Sequence, residues 1–131
     1  MKGGTESDSF YGANGNDVLL GRGGDDDLAG GAGSDFVKGG AGDDQLFYIA
    51  SQNGDASDLY QGSRGEDTLA LFVDEELYAS AGFKEDIADF KAFIAENYDT
   101  GKNGGKYFEF TSFNLRVQST ENIEVYLYDL G

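Results

Sequence analysis

Several residue types that often carry chemistry are missing from this chain of 131 residues. It contains no cysteine, histidine, proline or tryptophan. Without cysteine it forms no disulfide bond and performs no thiol chemistry, and without histidine it lacks the usual general base of enzymes that work near neutral pH. A G-x-S-x-G segment, the nucleophile turn of many hydrolases, is also missing. We therefore expect that the chain is not an enzyme.

Long apolar runs and positive charges are scarce as well. No run approaches the roughly 18 apolar residues that a membrane-spanning helix needs, so we expect no membrane span. Nine lysines and arginines stand against 25 aspartates and glutamates, which gives a net charge of −16. Because phosphate groups repel such a chain, we expect neither nucleic acid nor an anionic membrane surface among its partners.

Glycine, in contrast, is abundant and recurs at a fixed spacing. Five consecutive nonapeptides, from residue 3 to residue 47, follow the pattern G-x-x-G-x-D-x-U-x, in which U is apolar. Glu6 replaces the fourth-position glycine of the first copy, and Ala13 and Arg22 replace the glycine that the other copies carry at the second position. The sixth position is always aspartate (Asp8, Asp17, Asp26, Asp35, Asp44), and the eighth is always apolar (Phe10, Leu19, Leu28, Val37, Leu46).

This pattern predicts a metal-binding solenoid. The glycines allow positive φ and a tight turn, and the last three residues of each copy form a short strand whose central side chain points inward. Two copies complete one coil, so copies two repeats apart lie above one another, with strands about 4.7–4.9 Å apart. A calcium ion binds oxygens at roughly 2.3–2.6 Å and therefore reaches oxygens from two successive coils.

Pairing the copies in this way predicts three calcium sites, between the turns of Asp8 and Asp26, of Asp26 and Asp44, and of Asp17 and Asp35. Carbonyls alternate in direction along each turn, so positions 1, 3 and 5 face one neighbouring coil and positions 2, 4 and 6 face the other. Oxygen ligands without histidine or cysteine exclude zinc and copper and disfavour magnesium. Besides the aspartates, the expected ligand residues are Gly12, Asn14, Asn16, Gly21, Gly23, Asp25, Gly30, Gly31, Ala32, Gly33, Ser34, Gly39, Gly40 and Gly42.

The five copies resemble the nonapeptide of the RTX (repeats-in-toxin) family. The resemblance covers residues 3–47 and implies a parallel β-roll, a right-handed β-solenoid. It also implies export through a type I secretion channel, which uses no cleaved N-terminal signal, and folding outside the cell when calcium is met. Met1 and Lys2 lead directly into the first glycines, which favours an internal piece of a larger protein.

The repeats also predict that calcium is a condition of folding. Each copy buries about one apolar side chain, and this burial does not offset the backbone entropy lost when nine residues become ordered. Ion binding must then stabilise the folded state. We expect the repeats to be disordered in a chelator and rich in β-structure in calcium.

Irregular copies follow a five-residue insert at 48–52. Segments 53–61 and 62–70 resume the nine-residue spacing, with Asp58 and Asp67 at the sixth position and Tyr60 and Leu69 at the eighth. These aspartates either hold one or two further calcium ions or are solvated residues of turns that close the roll. We divide the chain into regular repeats at 3–47, irregular closing repeats at 48–70 and a C-terminal capping segment at 71–131.

The last segment has the pattern of an α+β cap with one helix and about three strands. A strand is expected at 68–73 before it, an amphipathic helix at 84–97, a loop at 100–106, and strands at 107–110, 113–118 and 123–128, the last two joined by a turn at 119–122. Its arrangement resembles, more loosely, the segment that follows nonapeptide blocks in some RTX proteins. Six phenylalanines are expected to cover the end of the solenoid or, alternatively, to line a ligand pocket (Phe83, Phe90, Phe93, Phe108, Phe110, Phe113).

These patterns favour a mainly β, calcium-binding module that folds on meeting extracellular calcium. It would support the secretion and structure of a larger secreted or cell-surface protein and contact the neighbouring domains of that parent chain. One alternative is the non-catalytic tail of an exoenzyme. Another is a calcium-dependent recognition module, such as part of an adhesin, that binds a glycan or peptide through exposed tyrosines (Tyr11, Tyr48, Tyr60, Tyr126, Tyr128). A flexible linker is excluded, since linkers do not keep an apolar residue at every ninth position.

Overall fold

A computed structural model describes residues 2–50, 56–97, 108–111, 113–118, 120 and 122–127. This part of the chain forms strands and two helices. The strands are β1 (Ser9–Tyr11), β2 (Val18–Gly23), β3 (Asp27–Ala29), β4 (Phe36–Ala41), β5 (Gln45–Ile49), β6 (Asp58–Arg64), β7 (Thr68–Val73), β8 (Phe108–Glu109), β9 (Leu115–Gln118) and β10 (Asn122–Leu127). The helices between β7 and β8 are α1 (Glu75–Ala79) and α2 (Ala81–Asn97). The prediction of a mainly β fold with helical structure towards the C-terminus is confirmed.

The strands form two five-stranded sheets, and successive strands from β1 to β7 alternate between them. One sheet has the order β1-β3-β5-β7-β10, and the other has the order β2-β4-β6-β9-β8. All neighbouring strands are parallel except β8 and β9, which are antiparallel. The chain therefore crosses from one sheet to the other after each nonapeptide, and the turns that carry the aspartates lie at these crossings.

The register of the sheets follows the repeat. Phe10 pairs with Leu28, and Leu28 pairs with Leu46, so equivalent positions two copies apart are neighbours. After β5 the offset increases, and Leu46 pairs with Leu69. The increase equals the length of the five-residue insert, which leaves the eighth positions of the irregular copies aligned with those of the regular ones. Residues 51–55 lie outside the described part.

The core is a row of eighth-position side chains between the two sheets. Leu19, Leu28, Val37, Leu46 and Leu69 have no exposed surface, because each points inward from its strand into the space between the two sheets. Phe10, in the first coil, is only partly buried.

Tyr48 and Tyr60 also belong to this core, with exposures of 1% and 0%, so the expectation that they are exposed is wrong. Tyr60 occupies an eighth position, and Tyr48 follows Leu46 by two residues and so points to the same side of β5. Tyr11 and Tyr126 are exposed, as expected. Tyr128 lies outside the described residues.

The helical region is longer than the sequence indicates. The pattern predicts one helix at 84–97, whereas α2 begins at Ala81 and a short helix, α1, precedes it. Asp74 caps α1 by accepting a hydrogen bond from the Leu77 backbone N–H at 2.8 Å. Ser80 ends α1, and its hydroxyl accepts a hydrogen bond from the Phe83 N–H at 3.2 Å, as an N-cap does. A single serine therefore separates the two helices. Within the described ranges, no helix is long and apolar enough to cross a membrane.

The strands after α2 continue the two sheets. β10 lies beside β7, with Val125 opposite Leu71, and β9 lies beside β6, with Val117 opposite Tyr60. The expected strands at 107–110, 113–118 and 123–128 correspond to β8, β9 and β10. β8 and β9 are shorter than expected, and β10 begins one residue earlier. Residues 100–106, Tyr107 and Tyr128, and Ser119 and Glu121 of the expected turn, lie outside the described part.

The six phenylalanines of this region pack on one another. Phe83, Phe90 and Phe110 are buried, and the ring centroids of Phe90 and Phe110 are 5.2 Å apart. Phe110 also stacks on Phe113 at 4.9 Å. These rings fill the space between α2 and the ends of β8 and β9, as in a core.

Candidate metal centre

The turns at the sheet crossings use the left-handed backbone region at two positions of the repeat. At the fourth position, Gly15, Gly24, Gly33, Gly42 and Gly65 have φ between 95° and 119°. The second position is left-handed too, with φ of 89° and 101° where it is glycine (Gly31, Gly40) and 70°, 76° and 79° where it is not (Ala13, Arg22, Ser63). The turn of the first copy differs, because neither Gly4 nor Glu6 has positive φ.

The sixth-position aspartates form two ladders, one at each crossing edge. One ladder contains Asp8, Asp26, Asp44 and Asp67, and the other contains Asp17, Asp35 and Asp58. In each step, the backbone N–H of one aspartate donates to Oδ1 of the equivalent aspartate in the next coil. The donor–acceptor distances are 2.8 Å for Asp8 to Asp26, Asp17 to Asp35 and Asp26 to Asp44, 2.7 Å for Asp35 to Asp58, and 2.9 Å for Asp44 to Asp67.

The second carboxylate oxygen has no such donor in most of these residues. Oδ2 is buried and accepts no hydrogen bond from any described residue in Asp17, Asp26, Asp35, Asp44 and Asp58. Asp8 differs, since its Oδ2 accepts from the Gly4 N–H at 3.0 Å. A buried carboxylate oxygen without a partner is costly, so these side chains need a positive charge or a proton.

The carboxyl groups in the middle of the stack hold protons more tightly than usual. Burial raises the pKa of Asp35 and Asp44 to about 6 and that of Asp58 to about 7. The N–H that the neighbouring aspartate of the ladder donates to each carboxylate lowers the pKa, and the negative charge of that same neighbour raises it. Burial also raises the pKa of Asp26. The cause is the same in each case: carboxylates are stacked on one another away from water.

Main-chain carbonyls converge on the same spaces. A Cβ atom built on Gly21 would lie 2.3 Å from Oδ2 of Asp26 and 2.6 Å from the carbonyl oxygen of Gly39 in the next coil. A Cβ atom on Gly12 would lie 2.7 Å from Oδ2 of Asp17 and 2.5 Å from the carbonyl oxygen of Gly30. An ion that binds at roughly 2.3–2.6 Å bridges oxygens this close together, whereas a side chain at the first position would block them.

Carbonyls at other turn positions point into the inter-coil space from the opposite side. A Cβ atom on Gly31 would lie 2.3 Å from the carbonyl oxygen of Ala13, and one on Gly33 would lie 2.2 Å from that of Gly15. Second- and fourth-position carbonyls thus face the following coil, while first-position carbonyls face the preceding one. The Ala13 oxygen also accepts from the Ala32 N–H at 2.9 Å and keeps a second lone pair.

The fifth position forms a separate set of hydrogen bonds. Asn16 Oδ1 accepts from the Ser34 N–H at 2.9 Å, and Asp25 Oδ1 accepts from the Asp43 N–H at 2.8 Å. These bonds run in the direction opposite to those of the sixth position. Ser57 and Glu66 continue this set in the irregular copies, where their N–H groups donate to Ser34 Oγ and Asp43 Oδ1. They were not among the residues expected from the sequence, although these copies also have a polar residue at the fifth position.

The structure thus brings together the three predicted aspartate pairs and two more, Asp35 with Asp58 and Asp44 with Asp67. Gly23 donates its N–H to the Gly4 carbonyl at 3.0 Å, and Asn14 is exposed. Across the described ranges, no group of three or more acidic side chains is close enough to hold an ion. Each inter-coil space therefore offers one or two carboxylates together with main-chain oxygens, a hard donor set that suits calcium.

Comparison with known proteins gave one family. A family model described as the RTX calcium-binding nonapeptide repeat (4 copies) matches residues 1–28 and 20–48. These ranges include all five regular copies. No curated protein and no solved structure matched the chain.

Proposed function

Because this chain belongs, through residues 1–48, to the RTX calcium-binding nonapeptide repeat family, we propose that it is a calcium-triggered folding module. Its parent is a larger secreted or cell-surface protein that leaves the cell by type I secretion. The module meets calcium outside the cell, folds, and supports the structure of the domains next to it. The family binds calcium, whereas the parent protein and the trigger role are our proposal.

The observation that carries the proposal is the set of buried Oδ2 atoms without hydrogen-bond donors in Asp17, Asp26, Asp35, Asp44 and Asp58. Packing the coils removes these carboxylates from water, and no hydrogen-bond donor of the described part reaches these Oδ2 atoms. Bound calcium supplies the missing positive charge. The chain itself contributes the carboxylates, the converging carbonyls and the glycines that leave room for an ion.

We propose that the two sheets form a right-handed parallel β-roll with calcium in all five steps of the ladders. Three steps lie on one edge (Asp8/Asp26, Asp26/Asp44, Asp44/Asp67) and two on the other (Asp17/Asp35, Asp35/Asp58). The strand register supports the two irregular steps, since Val37 lies opposite Tyr60 and Leu46 opposite Leu69. The first three predicted sites are thereby joined by two more near the C-terminal segment.

We also propose the division into regular repeats at 3–47, irregular repeats at 48–70 and a closing segment at 71–131. The closing segment ends both sheets: β10 covers β7, and β9 covers β6. Its helices and phenylalanines cover apolar surface that the last coil would otherwise expose to water.

Isothermal calorimetry with calcium tests the proposed sites. We expect about five ions per chain, and the Asp44→Asn variant should lose one or two of them because Asp44 takes part in two steps. Asp27→Asn is the matched control, because Asp27 is exposed and lies outside the turns. Equal ion counts for Asp44→Asn and the unaltered chain would contradict the assignment.

A further inference from the structure

The two crossing edges of the stack differ in charge at the fifth position of the repeat. One edge, which we call the acidic edge, has the ladder that contains Asp44, and after the first coil its fifth-position residues are carboxylates (Asp25, Asp43, Glu66). The other, the neutral edge, has the ladder that contains Asp35, and its fifth-position residues are uncharged (Asn16, Ser34, Ser57). Since the sixth position is aspartate on both edges, the fifth position gives the two sets of steps different charges.

The fifth-position side chains hold the same place on both edges. On the acidic edge, Asp25 Oδ1 accepts a hydrogen bond from the Asp43 N–H at 2.8 Å, and Asp43 Oδ1 accepts one from the Glu66 N–H at 2.9 Å. On the neutral edge, Asn16 Oδ1 accepts a hydrogen bond from the Ser34 N–H at 2.9 Å. Each of these oxygens therefore spans the same two coils as the neighbouring step of the ladder. Aspartate and asparagine make the same Oδ1 hydrogen bond here and differ in charge.

These oxygens lie beside the carbonyls that point into the inter-coil space. A Cβ atom on Gly42 would lie 2.2 Å from the carbonyl oxygen of Gly24 and 3.0 Å from Oδ1 of Asp25. On the neutral edge, a Cβ atom on Gly33 would lie 3.3 Å from Oδ1 of Asn16. On either edge, the fifth-position side chain thus lies next to the space that an ion would occupy.

The charge of Asp25 acts on two aspartates of its ladder. Burial is the main cause that raises the pKa of Asp26 and Asp44, and the negative charge of Asp25 adds to both shifts. In Asp35, on the neutral edge, the one charge that adds to the effect of burial is that of Asp17, a member of the ladder itself. Because no three acidic side chains of the described part converge on one ion, Asp25 acts beside the site rather than in it.

Two arginines also lie on the acidic edge. Arg22 and Arg64 occupy the second and third repeat positions of their copies. Neither forms an ion pair with Asp25 or Asp43 within the part of the chain that the structure describes. Direct contact with a cation therefore does not cancel the negative charge that these two exposed carboxylates place beside the ladder.

We propose that the fifth-position carboxylates set the calcium affinity of individual steps. The steps beside Asp25 and Asp43 hold calcium more tightly than those beside Asn16 and Ser34, because a negative charge near a divalent ion stabilises it through space without contacting it. This inference rests on the proposed calcium sites and adds an order of loading to them. As calcium rises, the acidic edge fills first, and the neutral edge responds to higher concentrations.

Release of calcium from the loaded full chain, after rapid mixing with a fluorescent calcium chelator, tests the proposal. Asp25→Asn keeps the Oδ1 acceptor and removes the charge, and it should speed the release of one ion by at least about fivefold. Asn16→Asp makes the reverse change on the neutral edge and should slow the release of one ion by a similar factor. If all ions leave in a single phase, the rate of that phase should shift in the same two opposite directions.

Two controls separate a local charge from other effects. Asp89→Asn removes the same charge from an exposed position on α2, outside the turns, and should leave the release rates unchanged. Raising potassium chloride from about 0.05 M to about 0.5 M should reduce the effects of both turn variants, because salt screens charges that are not in contact. Circular dichroism in calcium checks that each variant is folded.

Three results would overturn this inference and leave the proposed function intact. These are release rates in Asp25→Asn and Asn16→Asp that match those of the unaltered chain, shifts in the same direction in both variants, or shifts that salt does not reduce. A chain that releases no calcium to the chelator, because it binds none, would instead overturn the proposed sites themselves.

Discussion

The glycines of the turns serve two separate purposes that the repeat pattern does not distinguish. One is conformational, because the second and fourth positions have positive φ. The other is spatial, because the preceding coil brings a carbonyl oxygen close to several of these glycines. Gly15 and Gly33 occupy the same repeat position and separate the two effects. Around a Cβ on Gly15 there is open space, whereas a Cβ on Gly33 would lie 2.2 Å from the Gly15 oxygen.

Replacing each of these glycines by alanine should therefore give different losses of stability. Gly15→Ala has only the left-handed backbone to oppose it, at a cost of about 1–2 kcal/mol. Gly33→Ala adds a clash with the preceding coil and should cost about 1–3 kcal/mol more. Urea unfolding in saturating calcium measures both, and equal losses would show that the coils are not stacked as described.

Arg22 provides a test in the opposite direction. Its φ of 76° is unfavourable for a residue with a side chain, and most copies of the repeat carry glycine at this position. Arg22→Gly should stabilise the calcium-bound chain by about 1 kcal/mol. Arg22→Ala is the control, since it removes the same charge but keeps the strain, and it should give no such gain in urea unfolding.

The raised pKa values of the ladder predict how pH and calcium compete. Asp35, Asp44 and Asp58 have pKa values of about 6, 6 and 7 in the folded chain, above the ordinary value of 3.8. In a chelator, their protonation favours the folded state. This contribution is complete below the ordinary value and is lost as the pH rises through 6 to 7.

With calcium the dependence on pH is reversed, because protons and calcium compete for the same carboxylates. The calcium concentration at half-folding should be at least tenfold higher at a pH near 5 than at a pH near 7.5. Calcium titrations followed by circular dichroism measure this difference. A half-folding concentration that does not change with pH would mean that these carboxylates are not ligands.

Among the elements, those set by local pattern were predictable and those set by distant pairing were not. The strands around the eighth positions and the pairing of alternate copies follow from the nonapeptide, since each coil repeats the same contacts. The five-residue insert was visible too, as a shift in that spacing. In contrast, β9 and β10 join β6 and β7 across more than 50 residues of chain, and no local feature of Val117 or Val125 indicates these partners.

The same distinction applies to the candidate site. The aspartate pairs follow from the repeat, but the burial of Oδ2 and the direction of each Oδ1 hydrogen bond depend on how the coils stack. α1 was missed because Ser80 interrupts the helical pattern, and its use as a cap for α2 becomes visible only in three dimensions.

Docking of α2 depends on one buried carboxylate. Asp86 is 3% exposed, and it accepts hydrogen bonds from the Thr111 hydroxyl at 2.7 Å and from the Thr111 N–H at 3.1 Å. Asp86→Ala should destabilise the chain by about 2–3 kcal/mol, because hydrogen bonds to a charged group and a buried contact are lost together. Asp89→Ala, an exposed change on the same helix, should cost less than about 0.5 kcal/mol. Equal effects in thermal unfolding would exclude an anchoring role for Asp86.

At the scale of the whole molecule, the fold combines a narrow core with a large negative charge. One apolar side chain per nonapeptide fills the space between the sheets, while carboxylates are stacked along both crossing edges of a chain with a net charge of −16. Without a counter-charge, the stacking of coils brings these carboxylates together at a high electrostatic cost. The free energy of folding must therefore include the binding of ions.

Far-UV circular dichroism of the full chain, in a chelator and in millimolar calcium, tests this claim most directly. We predict a largely disordered spectrum in the chelator and a β-rich spectrum after calcium is added, with no comparable change on adding the same concentration of magnesium. The same β-rich spectrum in both solutions would show that the coils form without ions, and it would contradict the account.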